Sequence, residues 1–245
     1  MSRIFSFAAA LTLPAVFALP SAGLAAPSGG AALPPSGPAA PSGGVATALR
    51  AGPDGVPVPP AGGPDAQRLT AALLAAPELP AGFAPQPDAV DDLFARIPAE
   101  IAACGKATGV APGAVYREYL RGTNDEELLI ETLAAPGDEA ARAAVAALAG
   151  TLPACKSFTR APGELPAEMR FAISAHPDPG IGDVSAGLAF VMTVPDMNLT
   201  VNGRLLTAAT HGLHVTVLLM TEDAPKTADL EAATRAAVAK LKDLR

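Results

Sequence analysis

The sequence predicts an α+β domain: an antiparallel sheet of about five to six strands, with helices packed over it and one disulfide. Three observations carry this expectation. Apolar residues recur at helical spacing in four segments, near 65–76, 88–104, 137–152 and 227–244. Between and after them the apolar period falls to two. The 245-residue chain also holds only two cysteines, Cys104 and Cys155.

Taken in order, "PDAQRLTAALLAAPEL" opens with Asp65 as an N-cap, and Leu69, Ala72, Leu73 and Ala76 repeat at helical spacing. "PELPAGFAPQP" then breaks the helix. "DAVDDLFARIPAEIAACG" places Val90, Phe94, Ile97, Ile101 and Cys104 along one helical stripe, which Gly105 stops. Pro98 either kinks this helix or begins a second short one. "AVYREYLRG" and "EELLIETLA" read as strands; in the second, Leu129, Glu131 and Leu133 share one face. "GDEAARAAVAALAGTL" is a helix with Asp138 at its start, an apolar stripe of Ala141, Ala144, Val145, Leu148 and Leu152, and Pro153 at its end. Four alternating segments follow, "EMRFAISAH", "DVSAGLAFVMTV", "LTVNGRLLTAAT" and "LHVTVLLMT". Their links are short turns, so neighbours are antiparallel, since parallel neighbours need long crossovers. The closing hairpin from Leu199 to Met220, with Leu213, Val215, Val217 and Leu219 on one face of its second strand, is expected to be central. A helix from about Thr227 to Leu244 closes the pattern, with Leu230, Ala233, Ala237, Val238 and Leu241 inward.

Composition divides the chain into three parts. Residues 1–26 read as a signal peptide: Arg3, an apolar run from Ile4 to Phe17, then small residues suited to cleavage. The run is short for a membrane span and Pro14 interrupts it, so no stable span is expected after cleavage. Residues 27–64 hold 10 Pro and 9 Gly in 38 positions and read as a disordered tether, because such a segment cannot bury enough apolar surface. Residues 65–245 are then a single domain with 15 basic and 23 acidic residues, a net charge of −8. No basic cluster breaks that balance, which excludes nucleic acid as a partner class. The expected location is secreted, extracellular or in the cell wall.

An exported chain meets oxidising conditions, and two cysteines are the minimum for one bridge. Cys104 sits at the end of its helix stripe and Cys155 just past the end of another helix, so a bond between them staples two helices. Two buried free thiols, a metal pair and a redox pair are the competing readings. No further His or Cys stands nearby at ligand spacing, and there is no C-x-x-C.

Other chemistry is thin. "GDVSAGL" contains Ser185 but misses the G-x-S-x-G spacing, because Gly182 stands three residues before the serine. His176, His211 and His214 lack the convergence that a zinc site needs; His211 reads as a turn residue and His214 as half-exposed on a strand. No dinucleotide, P-loop or H-E-x-x-H motif is present, so no cofactor and no metal are expected.

Together, "LLAAPELPAGF" after the tether, "IAAC", "ELLIETLAAPGDEAARAAVAALAGTLPAC" and the closing hairpins resemble secreted and lipoprotein domains of high-GC actinobacteria. The layout is similar to the extracellular sensor domain of mycobacterial receptor Ser/Thr kinases. That resemblance implies a ligand-binding or sensory module and transfers no functional residue. The lipid-attachment cysteine common in the group is missing here. The expectation is therefore a secreted, non-enzymatic binding or sensor-like module of the cell envelope, taking a small apolar ligand or an envelope component. Its pocket would lie between sheet and helices, lined by Phe94, Phe171, Phe190 and Met192. The alternatives are an envelope hydrolase using Ser185 with His176 or His214, and a purely structural or interaction protein.

Overall fold

The computed structural model describes residues 64–86, 94–106, 112–122, 126–162 and 167–244. The expected signal segment, and the tether up to residue 63, lie outside the described residues. Among the described residues no helix is long and apolar enough to cross a membrane.

The centre is one antiparallel sheet of eight strands: β1 Ala84–Pro85, β2 Val115–Arg121, β3 Glu127–Ala134, β4 Ser157–Arg160, β5 Met169–Ala175, β6 Val184–Val194, β7 Leu199–Thr210 and β8 Leu213–Thr221. Their order is β1-β2-β3-β8-β7-β6-β5-β4, so β7 and β8 are central, as expected. Eight strands exceed the expected five to six. The two extra ones are short edges: β1 has two residues and β4 has four.

Among the described residues five helices accompany the sheet: α1 Pro64–Ala72, α2 Ile97–Ala102, α3 Asp138–Ala149, α4 Thr151–Ala154 and α5 Thr227–Lys242. They cover both faces. On one, which we term the α3 face, Ala141, Val145 and Leu148 meet Leu128 and Ile130 of β3, Leu188 and Phe190 of β6, Leu205 of β7 and Leu218 of β8. On the α5 face, Leu69 and Leu73 of α1 and Leu230, Ala237 and Leu241 of α5 meet Leu129, Leu133, Leu206, Val215, Val217 and Leu219. The period of two divides consecutive residues of β3 and β8 between the faces, and both are buried. Each fully buried Leu or Val contributes about 1.5–3 kcal/mol relative to exposure.

Local chemistry sets the joints. The β7–β8 link, His211–Gly212, has φ of 51° and 76°, the two positive values of a type I′ turn. Gly212 also lets the start of α3 approach: a Cβ there would lie 3.2 Å from the Asp138 nitrogen. At Gly203 a Cβ would fall 2.1 Å from the Phe190 ring, so that ring fills the space left on β7.

Three helix boundaries differ from the sequence reading. The expected helix from Asp88 to Cys104 is, in its described part, a turn at 94–96 followed by the short α2, with Pro98 in its first turn. Of its expected stripe, Val90 lies outside the described residues. Ala76 falls in a separate 3-10 turn, Ala76–Glu78, instead of continuing α1. Pro153 sits inside the one-turn α4, and α3 already ends at Ala149, with Gly150 as its cap.

Cys104 and Cys155 are bonded, with their Cα atoms 5.7 Å apart. Cys104 follows α2 and Cys155 caps α4, so the bridge does staple two helix ends.

Candidate functional site

The link between β5 and β6, "HPDPGIGD", is shaped by its own side chains. Asp178 Oδ1 accepts the Gly180 N–H at 3.0 Å and the Ser185 hydroxyl. Ser185 Oγ in turn accepts the Ile181 N–H at 3.0 Å. Gly180 and Gly182 take φ of 63° and 76°, which L side chains rarely adopt. A Cβ on Gly182 would lie 2.9 Å from the Ala209 carbonyl, so this backbone presses directly against β7. The Asp183 N–H then joins Ala209 O at 2.9 Å.

Opposite this loop stand Arg235, Val238 and Lys242, three and four residues apart on α5 and therefore on one helical stripe. Thr210, the last residue of β7, closes the floor. The space they line, partly open to solvent, is about 350 Å³. Thr210 is 1% exposed, and its Oγ1 has no hydrogen-bond partner among the described residues. Arg235 lies 3.6 Å from Glu231. Asp183 Oδ2 accepts the His211 N–H at 3.2 Å and stands 4.0 Å from Arg142.

A second polar cluster lies deeper on the α5 face. Glu131, fully buried on β3, accepts the Leu74 N–H at 2.8 Å and the Tyr119 hydroxyl at 2.7 Å through Oε2. Its Oε1 is unpartnered among the described residues. Arg117 donates to Leu74 O, and Lys240 donates to Leu73 O at 2.9 Å and pairs with Glu78 at 2.8 Å. Burial pushes the Glu131 carboxyl above the usual range, against its hydrogen bonds from Leu74 and Tyr119 and the charges of Lys240 and Arg117. Burial likewise raises the Tyr119 phenol. These groups pin the chain just after α1 to β2, β3 and α5, which is a structural task.

The four aromatic and Met positions expected to line a pocket lie with the core of the α3 face. Phe171, Phe190 and Met192 are buried, and Phe94 packs half-buried against them. Phe158 stacks on Phe171 at 4.6 Å, and Phe190 follows at 5.9 Å. The pocket beneath α5 uses none of them.

Ser185 is engaged by Asp178 and Ile181 and is bonded to no histidine. His214 points to the α3 face, where its Nε2 is 2.6 Å from Thr207 Oγ1 and burial lowers its pKa to about 4. The His176 Nε2 is buried without a partner among the described residues; burial first, and then the nearby Arg204, lower its pKa. His211 is exposed in its turn. Among the described residues no three His, Cys, Asp or Glu side chains converge as metal ligands.

Sequence reasoning missed Thr210, Arg235, Lys242 and the role of Glu131. For Glu131 a signal existed: it is the one charge between Leu129 and Leu133 on an apolar row. Arg235 and Lys242 carried none, since charges on the outer face of an amphipathic helix are ordinary.

No family model matches the chain, and no curated protein matches it. Among solved structures it is similar to the extracellular domain of PknH from Mycobacterium tuberculosis, at 16% identity and a TM-score of 0.49, over 72% of this chain and 96% of that one.

Proposed function

We propose that this chain is an exported, non-enzymatic module of the cell envelope that binds a small polar ligand in the pocket between the 178–183 loop and α5. The observation that carries the reading is the pocket itself. Its volume of about 350 Å³ falls in the range of small-molecule sites, and it is walled by a clamped loop, a strand end and a helix. Polar and charged side chains dominate that wall, which favours a polar ligand over an apolar one. The Cys104–Cys155 bridge supports an oxidising compartment. Binding is favoured over hydrolysis because the Ser185 hydroxyl is committed to holding the loop.

Native mass spectrometry of the protein purified from its own host tests this reading. A fraction carrying added small-molecule mass, released on unfolding and absent from a Val238→Phe variant that fills the pocket but folds, is the expected result. The unliganded mass alone, with no mass added by dialysis against host small-molecule extract, argues against it.

A further inference from the structure

α1 and residues 73–79 form an N-terminal arm laid on the α5 face, and the backbone of that arm meets one buried carboxyl. Glu131 Oε2 accepts the Leu74 N–H at 2.8 Å and lies 2.7 Å from the Tyr119 oxygen. The same Tyr119 oxygen is 3.1 Å from Leu74 O. The phenol has one proton and faces two acceptors, so it cannot serve both. A neutral Glu131 resolves the conflict: its own hydroxyl donates to Tyr119, and the phenol proton goes to Leu74 O. An ionised Glu131 takes the phenol proton, and Leu74 O keeps the 3.3 Å contact from Arg117. Ionisation also spreads negative charge onto Oε1, which is buried without a partner among the described residues. Such an oxygen costs more to bury charged than neutral. The charged and titratable groups that face Glu131 are Tyr119 and Arg117 from β2, Lys240 from α5 and Glu78 from the arm. Lys240 spends its ammonium on Leu73 O, at 2.9 Å, and on Glu78, at 2.8 Å. β8 opposes Glu131 with the apolar Val217. Burial accordingly outweighs the nearby cations and raises the carboxyl above its usual range.

We propose that Glu131 is a pH-responsive latch for this arm: the neutral carboxyl holds α1 and residues 73–79 docked, and its ionisation lets them detach while the rest of the sheet, α3 and α5 stay folded. The latch is independent of the ligand pocket. Detachment admits water to the ionised carboxyl and uncovers Tyr119 and Leu129, which pair across β2 and β3. Buried Leu69, Leu73 and Leu74 oppose it, so the open form is a minority whose population pH adjusts. In the open form Glu131 returns to the ordinary carboxylate pKa, below that of the docked arm. The open form therefore binds fewer protons between the two values, and docking weakens as pH rises through that window.

The test is amide hydrogen exchange on the purified protein from pH 4.5 to 8 (roughly the span from the ordinary carboxylate pKa upward), each rate corrected for intrinsic exchange. Protection at residues 69–74, relative to β8, is expected to fall by up to about tenfold per pH unit within the window, the linkage of one proton, and then to level off. In Glu131→Gln the same residues should keep a protection that does not change with pH, because the amide donates to Tyr119 and accepts from Leu74 without ionising. The Glu131 carboxyl ¹³C resonance of the wild type should titrate over the same range, a readout that needs no variant. Wild-type protection at 69–74 that is flat with pH overturns the proposal. An equal pH dependence in Glu131→Gln, or a Glu131 resonance that does not titrate where protection falls, also overturns it. So does a loss of protection shared equally by β8, since that is opening of the whole domain.

Discussion

The two faces of the sheet bury similar apolar rows and differ in what else they hold. On the α3 face, Phe158, Phe171 and Phe190 form a continuous ring contact, Gly203 makes room for the last of them, and the Cys104–Cys155 bridge ties α2 and α4 beside it. On the α5 face, Glu131 pins the segment after α1, and the pocket opens where α5 leaves the sheet near Thr210. The first arrangement is closed by apolar shape. The second is held by directional polar contacts, and such contacts leave fixed donors at its margin. The α3 face is thus closed throughout, whereas the α5 face keeps a space open to solvent at its edge.

The largest expected effects test the shared centre. Val217 and Leu218 are adjacent on β8, fully buried, and face opposite sides. Val217→Asp and Leu218→Asp should each prevent cooperative folding, because either places an unpaired charge in a core. Thermal melts by circular dichroism check this; a cooperative melt for either variant would reverse the assignment of its face. Cys104→Ala with Cys155→Ala acts on the α3 face alone. It should cost about 2–5 kcal/mol in chemical denaturation, typical for a native bridge, with ligand affinity unchanged in the folded fraction.

Each face also holds a titratable group that burial shifts, half-buried His214 on one and fully buried Glu131 on the other, and the two respond to pH in opposite directions. His214, on the α3 face, has its pKa lowered to about 4, so the unfolded chain binds more protons between pH 6.5 and 4. Its contribution is present above pH 6.5 and is lost as pH falls through that window, by up to about 3 kcal/mol. The difference in stability between wild type and His214→Gln, followed from pH 7 to 4.5, should shrink accordingly. Glu131, on the α5 face, is shifted upward by burial, so its contribution is present below the ordinary carboxylate pKa and is lost as pH rises through the folded value. Glu131→Gln should then remove a decline in stability that wild type shows as pH rises from the ordinary carboxylate pKa to the folded value. A His214→Gln profile parallel to wild type, or a Glu131→Gln profile that gains no stability with rising pH relative to wild type, would remove the distinction.

The smallest effect compares two halves of the α5 face. Val191 on β6 is 38% exposed, beyond the cover of α5. Val191→Asp should change stability by about 0.5 kcal/mol or less, as surface substitutions usually do. A loss as large as that of a core substitution, measured by the same denaturation, would mean that this half of the face is covered.

Much of the sheet was legible because a period of two is a local property. Six strands, the central place of β8 and the inward stripe of α5 follow from spacing alone. The four residues of β4 and two of β1 were not legible, since edge strands that short show no repeat and depend on a neighbour for their pairing. The two helix faces were also hidden: β3 and β8 are apolar on both sides, and the pattern does not say which helix goes to which side. The cysteine pair was legible from count and compartment. The pocket was not, because the 178–183 loop, Thr210 and the 235–242 stretch are far apart in the chain and meet only once β7 lies beside β6 and beneath α5. Phe94, Phe171, Phe190 and Met192 attracted attention as large apolar residues, and large apolar residues are first of all core.

The difference between the faces is tested most directly by amide hydrogen exchange on the purified protein, before and after dialysis against host small-molecule extract. The account predicts added protection at residues 180–183, at Thr210 and along 235–242, with the strands carrying Phe171, Phe190 and Met192 unchanged. Added protection confined to the α3 face around Phe94, Phe171 and Phe190, with none along α5, would contradict it.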